Sequence, residues 1–143
     1  MSESILIADD EAPIRQSIKL ALLWEPFETR EAAELETAYQ LLLNDPPSLL
    51  LLDIHFGQEN SLALMRRMSA EGINVPFVVL SGAATASEAA QAIQLGAYDY
   101  LEKPLSAERL RLTIRHCLEN ARLQSVVQRI TVDRNQNQEI LGT

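Results

Sequence analysis

The chain has 143 residues, 47% of them apolar and 22% charged, which suits one soluble globular domain with a short extension and argues against two full domains. Twelve Lys and Arg stand against 20 Asp and Glu, a net charge of −8 that argues against a nonspecific nucleic-acid grip by this chain alone. No apolar run is long enough to span a bilayer, "MSES" lacks the basic region of a signal peptide, and Cys117, the only cysteine, excludes an intrachain disulfide or a Cys-rich zinc site, so a cytoplasmic location is expected.

"ILIA" (5–8) reads as a first strand, and Pro13 suits the first turn of a helix that carries Ile14, Ile18 and Leu22 and is expected to reach Trp24. "FETREA" (27–32) predicts a half-exposed second strand, followed by a helix through Ala38, Leu41 and Leu42 that stops before "NDPP" at 44–47. "SLLLLDI" (48–54) is a continuous apolar run between turn signals, as expected of a third strand covered on both faces. A helix capped near Asn60 or Ser61 carries Leu62, Leu64, Met65 and Met68 and ends before Gly72. "PFVVLS" (76–81) predicts the fourth strand, residues 86–95 an alanine-rich helix closed by Gly96, and "AYDYL" (97–101) the fifth strand. From Ser106 a helix can run without a breaker to about Asp133, longer than packing on one domain requires.

Strands that alternate with helices imply a parallel sheet with helices on both faces, because parallel strands need right-handed crossovers. Reactive groups of such sheets collect at the carboxyl ends of the strands. Those ends carry Asp9 and Asp10 after the first strand, Asp53 in the third, Ser81 after the fourth and Lys103 after the fifth. Singly, each has an ordinary explanation: an Asp or Ser at a strand end commonly caps the next helix. Together they are harder to explain as caps, since Asp53 ends a run of four leucines, where an unpaired charge is costly. A hard divalent cation held by the three carboxylates would offset their repulsion, and oxygen ligands with room for water suit Mg²⁺. The Lys103 ammonium, presented by "EKP", suits a phosphate oxygen. Carboxylate, metal, lysine and hydroxyl together describe phosphoryl transfer onto a carboxylate.

The segments "ADDE" (8–11), "LLLLDI" (49–54), "VVLSG" (78–82) and "GAYDYLEKP" (96–104) resemble, in order and spacing, the receiver domains of two-component response regulators. The resemblance covers about residues 4–120. It implies a flavodoxin-like α/β fold, a doubly wound five-stranded parallel sheet of order 2-1-3-4-5, here with an extended C-terminal helix. It implies that Asp53 accepts a phosphoryl group from a sensor histidine kinase, and that Asp9, Asp10, Asp53 and the backbone carbonyl of His55 hold Mg²⁺. Ser81 would hydrogen-bond the phosphoryl group, Lys103 would pair with it, and Tyr100 would be an aromatic switch. Such a domain is a regulatory phosphoacceptor whose only chemistry is Mg²⁺-dependent self-phosphorylation and autodephosphorylation. Gly57 stands where the family usually has proline and Ser61 where glycine is common, which puts the rigidity of that loop in question.

Blander readings stand beside these. The His55 imidazole is expected to be an exposed loop side chain, His116 a surface or interface residue, and Tyr100 could simply pack at the sheet edge. "ATASEAAQA" (84–92) is either a plain helix face or part of a dimerisation surface formed with the fourth and fifth strands. On the last helix Leu110, Ile114, Cys117 and Ala121 make an inner stripe, while Leu123, Val126, Val127 and Ile130 fall beyond the domain and invite a helix from a second protomer. Residues 1–120 are thus expected to form the receiver and 121–143 a helical linker. "LENARL" (118–123) and the closing "EILGT" are similar to the junction in the nitrogen-regulator class, where a receiver joins a sigma-54-dependent AAA+ ATPase. Two rivals remain: a receiver-like interaction module that is never phosphorylated, whose usual mark is a lost acid or lysine, and a haloacid-dehalogenase-like phosphatase, whose DxD motif "ADDE" does not supply.

Overall fold

The computed structural model describes the backbone of residues 3–142 and the side chains of residues 3–124. Five parallel strands, β1 (Glu3–Ala8), β2 (Phe27–Ala32), β3 (Leu49–Asp53), β6 (Phe77–Ser81) and β7 (Asp99–Glu102), form one sheet in the order β2-β1-β3-β6-β7. This is the expected 2-1-3-4-5 order, with β6 and β7 as the fourth and fifth strands because a two-residue hairpin, β4 (His55–Phe56) and β5 (Glu59–Asn60), intervenes. The helices are α1 (Ala12–Ala21), α2 (Leu35–Asn44), α3 (Leu62–Ala70), α4 (Ala86–Gln94) and α5 (Ala107–Gly142).

Period-two alternation along the central strands builds two apolar layers. Leu6, Leu50, Leu52 and Val79 meet Tyr39 and Leu42 of α2, Met65 and Met68 of α3 and Ala92 of α4. Ile5, Ile7, Leu49, Leu51, Val78 and Leu80 meet Ile18 and Leu22 at α1 and Leu110, Ile114 and Cys117 of α5. The run of leucines in β3 is continuous because its two faces belong to different layers and both are covered.

The registers align the strand ends. Ala8 lies opposite Leu52, Asp53 opposite Leu80, and Ser81 opposite Glu102, so Asp9 is level with Asp53, Ser81 stands one residue beyond them and Lys103 two, and all four leave the sheet at its carboxyl edge.

β1 begins at Glu3 rather than Ile5 and the fifth strand runs Asp99–Glu102 rather than 97–101, and three larger departures from expectation accompany these shifts. α1 stops at Ala21 rather than Trp24: Leu22 folds into the core, and Leu23 and Trp24 turn outward ahead of Pro26, which disfavours helix at the residue before it. The β4–β5 hairpin stands where a plain loop is expected. Its turn needs Gly57 in the left-handed region, at φ 62°, and a proline cannot adopt that angle. Finally, α5 is helical to Gly142, past Asp133. Leu110, Ile114 and Cys117 of its inner stripe are buried and Leu123 is exposed; Val126, Val127 and Ile130 lie outside the residues whose side chains are described. Among the described residues no helix is long and apolar enough to cross a membrane.

Candidate phosphoacceptor site

The carboxyl end of β1 delivers Asp9, which is fully buried, and Asp10, which is exposed; β3 delivers Asp53, which is buried. One carboxylate oxygen from each lies within 4.8 Å of the others. Lys103, arriving from β7, bridges two of them: its Nζ donates to Asp9 Oδ2 at 2.8 Å and to Asp53 Oδ2 at 3.0 Å. Glu11 Oε2 stands 3.7 Å from the same nitrogen. Three carboxylates face one ammonium, so the cluster keeps excess negative charge in a partly desolvated crevice, and its donor set is all oxygen. That chemistry fits Mg²⁺.

Burial pushes the Asp53 carboxyl above its ordinary range; the Lys103 hydrogen bond works against this and the charge of Asp9 adds to it. Lys103 is also shifted upward, for a different reason. Burial alone would lower it, and the hydrogen bonds it donates to Asp9 and Asp53, with the charges of those two carboxylates, outweigh that and raise it.

Backbone contacts fix the acids. Asp9 Oδ1 accepts the Glu11 N–H at 2.9 Å and Asp53 Oδ1 accepts the His55 N–H at 3.3 Å. The Ser61 hydroxyl, completely buried, donates to the carbonyl of Asp53 instead of capping α3. Asn60 takes the capping role, its Oδ1 accepting the Leu62 N–H at 2.8 Å. The glycine-to-serine departure noted in the sequence therefore ties the loop to the strand it follows. On the other side Arg15 donates to the carbonyl of Asp9 at 2.7 Å and pairs with Glu31 at 2.9 Å.

Ser81 is buried at the end of β6, its hydroxyl accepting the N–H groups of Ala83 at 3.2 Å and Ala84 at 2.7 Å. Tyr100, opposite Val79 in β7, is half-buried against the layer that holds α2, α3 and α4. The imidazole of His55 keeps 41% of its surface exposed, but it is not free: its Nε2 lies 2.9 Å from Glu88 Oε2. Asn60 Nδ2 donates to that same oxygen at 2.8 Å. The other oxygen of Glu88 accepts the Thr85 N–H at 3.0 Å while Thr85 Oγ1 accepts the Glu88 N–H at 3.1 Å, a reciprocal cap at the start of α4. The Thr85 N–H, then His55 and Asn60, hold the Glu88 carboxyl down to about 2. The spacing of "TASE" (85–88) carries this cap in the sequence; the partnership with His55 has no sequence signal, because it joins residues 33 apart.

Known proteins share this arrangement of elements. The response regulator receiver domain family matches residues 5–115. The phosphate regulon transcriptional regulatory protein PhoB of Pseudomonas aeruginosa is 32% identical over 112 residues, 77% of this chain and 49% of that protein. An NtrX-like response regulator of Rickettsia bellii is 34% identical over 122 residues, 84% of this chain and 26% of that protein. The crystal structure of NtrX from Brucella abortus in complex with ADP is 35% identical with a TM-score of 0.81, covering 90% of this chain and 30% of that one. The chain spans between about a quarter and about half the length of these curated relatives. It belongs to the response regulator receiver domain family and, within that family, is similar to NtrX proteins of the nitrogen-regulator class.

Proposed function

We propose that this receiver accepts a phosphoryl group on Asp53 from the phosphohistidine of a sensor kinase. The observation that carries the reading is the convergence of Asp9, Asp10 and Asp53 within 4.8 Å with Lys103 bridging two of them. An Asp53 oxygen attacks phosphorus, the P–N bond breaks, its electron pair leaves with the imidazole, which takes up a proton, and an aspartyl phosphate results. Asp9, Asp10, Asp53 and the His55 carbonyl are the groups that would hold Mg²⁺, which when bound neutralises charge on the transferring group. Lys103 pairs with a phosphoryl oxygen. The Ser81 hydroxyl, which accepts two backbone N–H groups, has its own hydrogen to donate to another. Tyr100, on the strand beside Ser81, is the switch residue, turning inward as Ser81 moves toward the phosphoryl group.

Residues 1–120 form the receiver in this reading and 121–143 a helical linker to a sigma-54-dependent AAA+ output domain. The NtrX similarities and the helix running to Gly142 support that assignment. Ile93, Tyr98 and Leu112, exposed on or beside α4, β7 and α5, support homodimerisation through that face, with the C-terminal helix as a second contact. The protein acts in the cytoplasm, as a regulator and not as an enzyme on external substrates.

The test is intact mass after incubation with Mg²⁺ and acetyl phosphate. The wild type gains one phosphoryl group and Asp53→Asn gains none. A wild type that stays unmodified and shows no Mg²⁺-dependent response to beryllofluoride overturns the proposal, and equal labelling of the variant moves the acceptor elsewhere.

A further inference from the structure

The two ends of the β4–β5 hairpin, His55 and Asn60, pair with each other through the backbone and send their side chains to one atom, Glu88 Oε2, at 2.9 and 2.8 Å. The other oxygen of the same carboxylate closes the cap of α4. One side chain is thus divided between the loop that follows the phosphoacceptor and the helix that follows Ser81. The Glu88 side chain is 18% exposed and the His55 imidazole 41%, so the clasp sits at a partly accessible rim and depends on several hydrogen bonds meeting on one carboxylate.

We propose that Glu88 is a positioning residue that clasps the acceptor loop to the first turn of α4, so that the placement of the His55 carbonyl and the placement of α4 change together. The proposal rests on the metal-ligand reading above. It adds a route between the acceptor centre and α4 that is separate from the path through Ser81. Because coupling is reciprocal, a change that frees α4 weakens metal binding, and a change that loosens the hairpin frees α4. The isolated hairpin is two residues a side and could not hold its own register in water; Ser61 anchors it on the β3 side and the clasp anchors it on the α4 side.

Two variants cut the clasp from opposite sides. Glu88→Ala removes the shared carboxylate. His55→Phe combined with Asn60→Ser removes the hairpin's contribution, while Ser still offers an acceptor to the Leu62 N–H and the Thr85–Glu88 cap stays whole. Amide hydrogen exchange of the metal-free chain and calorimetric titration with MgCl₂ are the readouts. The diagnostic signals lie on the element that was not altered. Glu88→Ala speeds exchange of residues 55–60, and the His55–Asn60 double variant speeds exchange of residues 86–89, each by about tenfold as expected for local opening. Both weaken MgCl₂ binding by about tenfold, the effect of removing an outer partner that orients a ligand. Combining all three substitutions adds nothing further to the loss of MgCl₂ affinity, because one clasp is lost in every case.

Exchange that quickens only on the altered element overturns the proposal, as do multiplicative losses in the combined variant. A wild type that binds MgCl₂ but whose affinity neither variant changes overturns it too. If the wild type itself fails to bind MgCl₂, the metal reading falls, and cross-element exchange alone decides whether the clasp exists.

Discussion

Along β3 the first four residues and the fifth are held in place by different forces. Leu49 to Leu52 are shared between two apolar layers and have no accessible surface, so dispersion and the removal of apolar area from water fix them. Asp53, one position on, is nearly as buried, and its place is set by Lys103, by the His55 N–H and by the Ser61 hydroxyl on its carbonyl. The core gains from every neighbour it has. The edge holds together only while its charges are matched, and it retains a negative excess that Mg²⁺ would complete. The four packed leucines fix the strand that carries Asp53 to the edge.

The comparison can be broken first at the core. Leu51→Ala leaves a cavity between β3 and the α1–α5 layer and should cost about 2–5 kcal/mol in urea unfolding, with little response to MgCl₂. At the edge, Lys103→Ala strands two buried carboxylates and should cost about 3 kcal/mol. Adding Asp53→Asn to that variant should recover part of the loss by removing one stranded charge, whereas adding Asp53→Asn to Leu51→Ala should recover none of the core's. If the two pairings behave alike, the division along β3 is wrong.

The smallest effect concerns Cys117, a titratable group within the apolar layer. Burial, with the charge of Asp99 adding to it, pushes its thiol from 9.0 to about 11. The folded state therefore keeps a proton that the unfolded chain releases above pH 9. The stability this contributes is complete below pH 9 and declines as pH rises through 9 toward 11. Iodoacetamide should alkylate Cys117 slowly at pH 9 in the native protein and rapidly in urea, and wild type should lose stability relative to Cys117→Ala over that interval.

The parts of the fold set by hydrophobic period were legible without coordinates. The leucine run of β3 and the spacing of the helices lead to the sheet, and the carboxyl-end rule brings Asp9, Asp10, Asp53 and Lys103 together with Ser81 at the end of the neighbouring strand. What was not legible depends on contacts between distant residues. His55 looks like a free loop side chain until α4 places Glu88 beside it. The Ser61 hydroxyl looks like a helix cap until the hairpin turns it toward Asp53. The Gly57 and Ser61 departures, which in sequence suggest a looser loop, belong to a hairpin tied to both β3 and α4.

The most direct measurement traps the modified residue. Protein incubated with Mg²⁺ and acetyl phosphate is reduced with borohydride, which converts an aspartyl phosphate to homoserine, and is then mapped by peptide mass spectrometry. Homoserine at position 53 alone is the expected result. Homoserine at position 9 or 10, or at no position in a protein that binds Mg²⁺, would contradict the assignment of Asp53 as the phosphoacceptor.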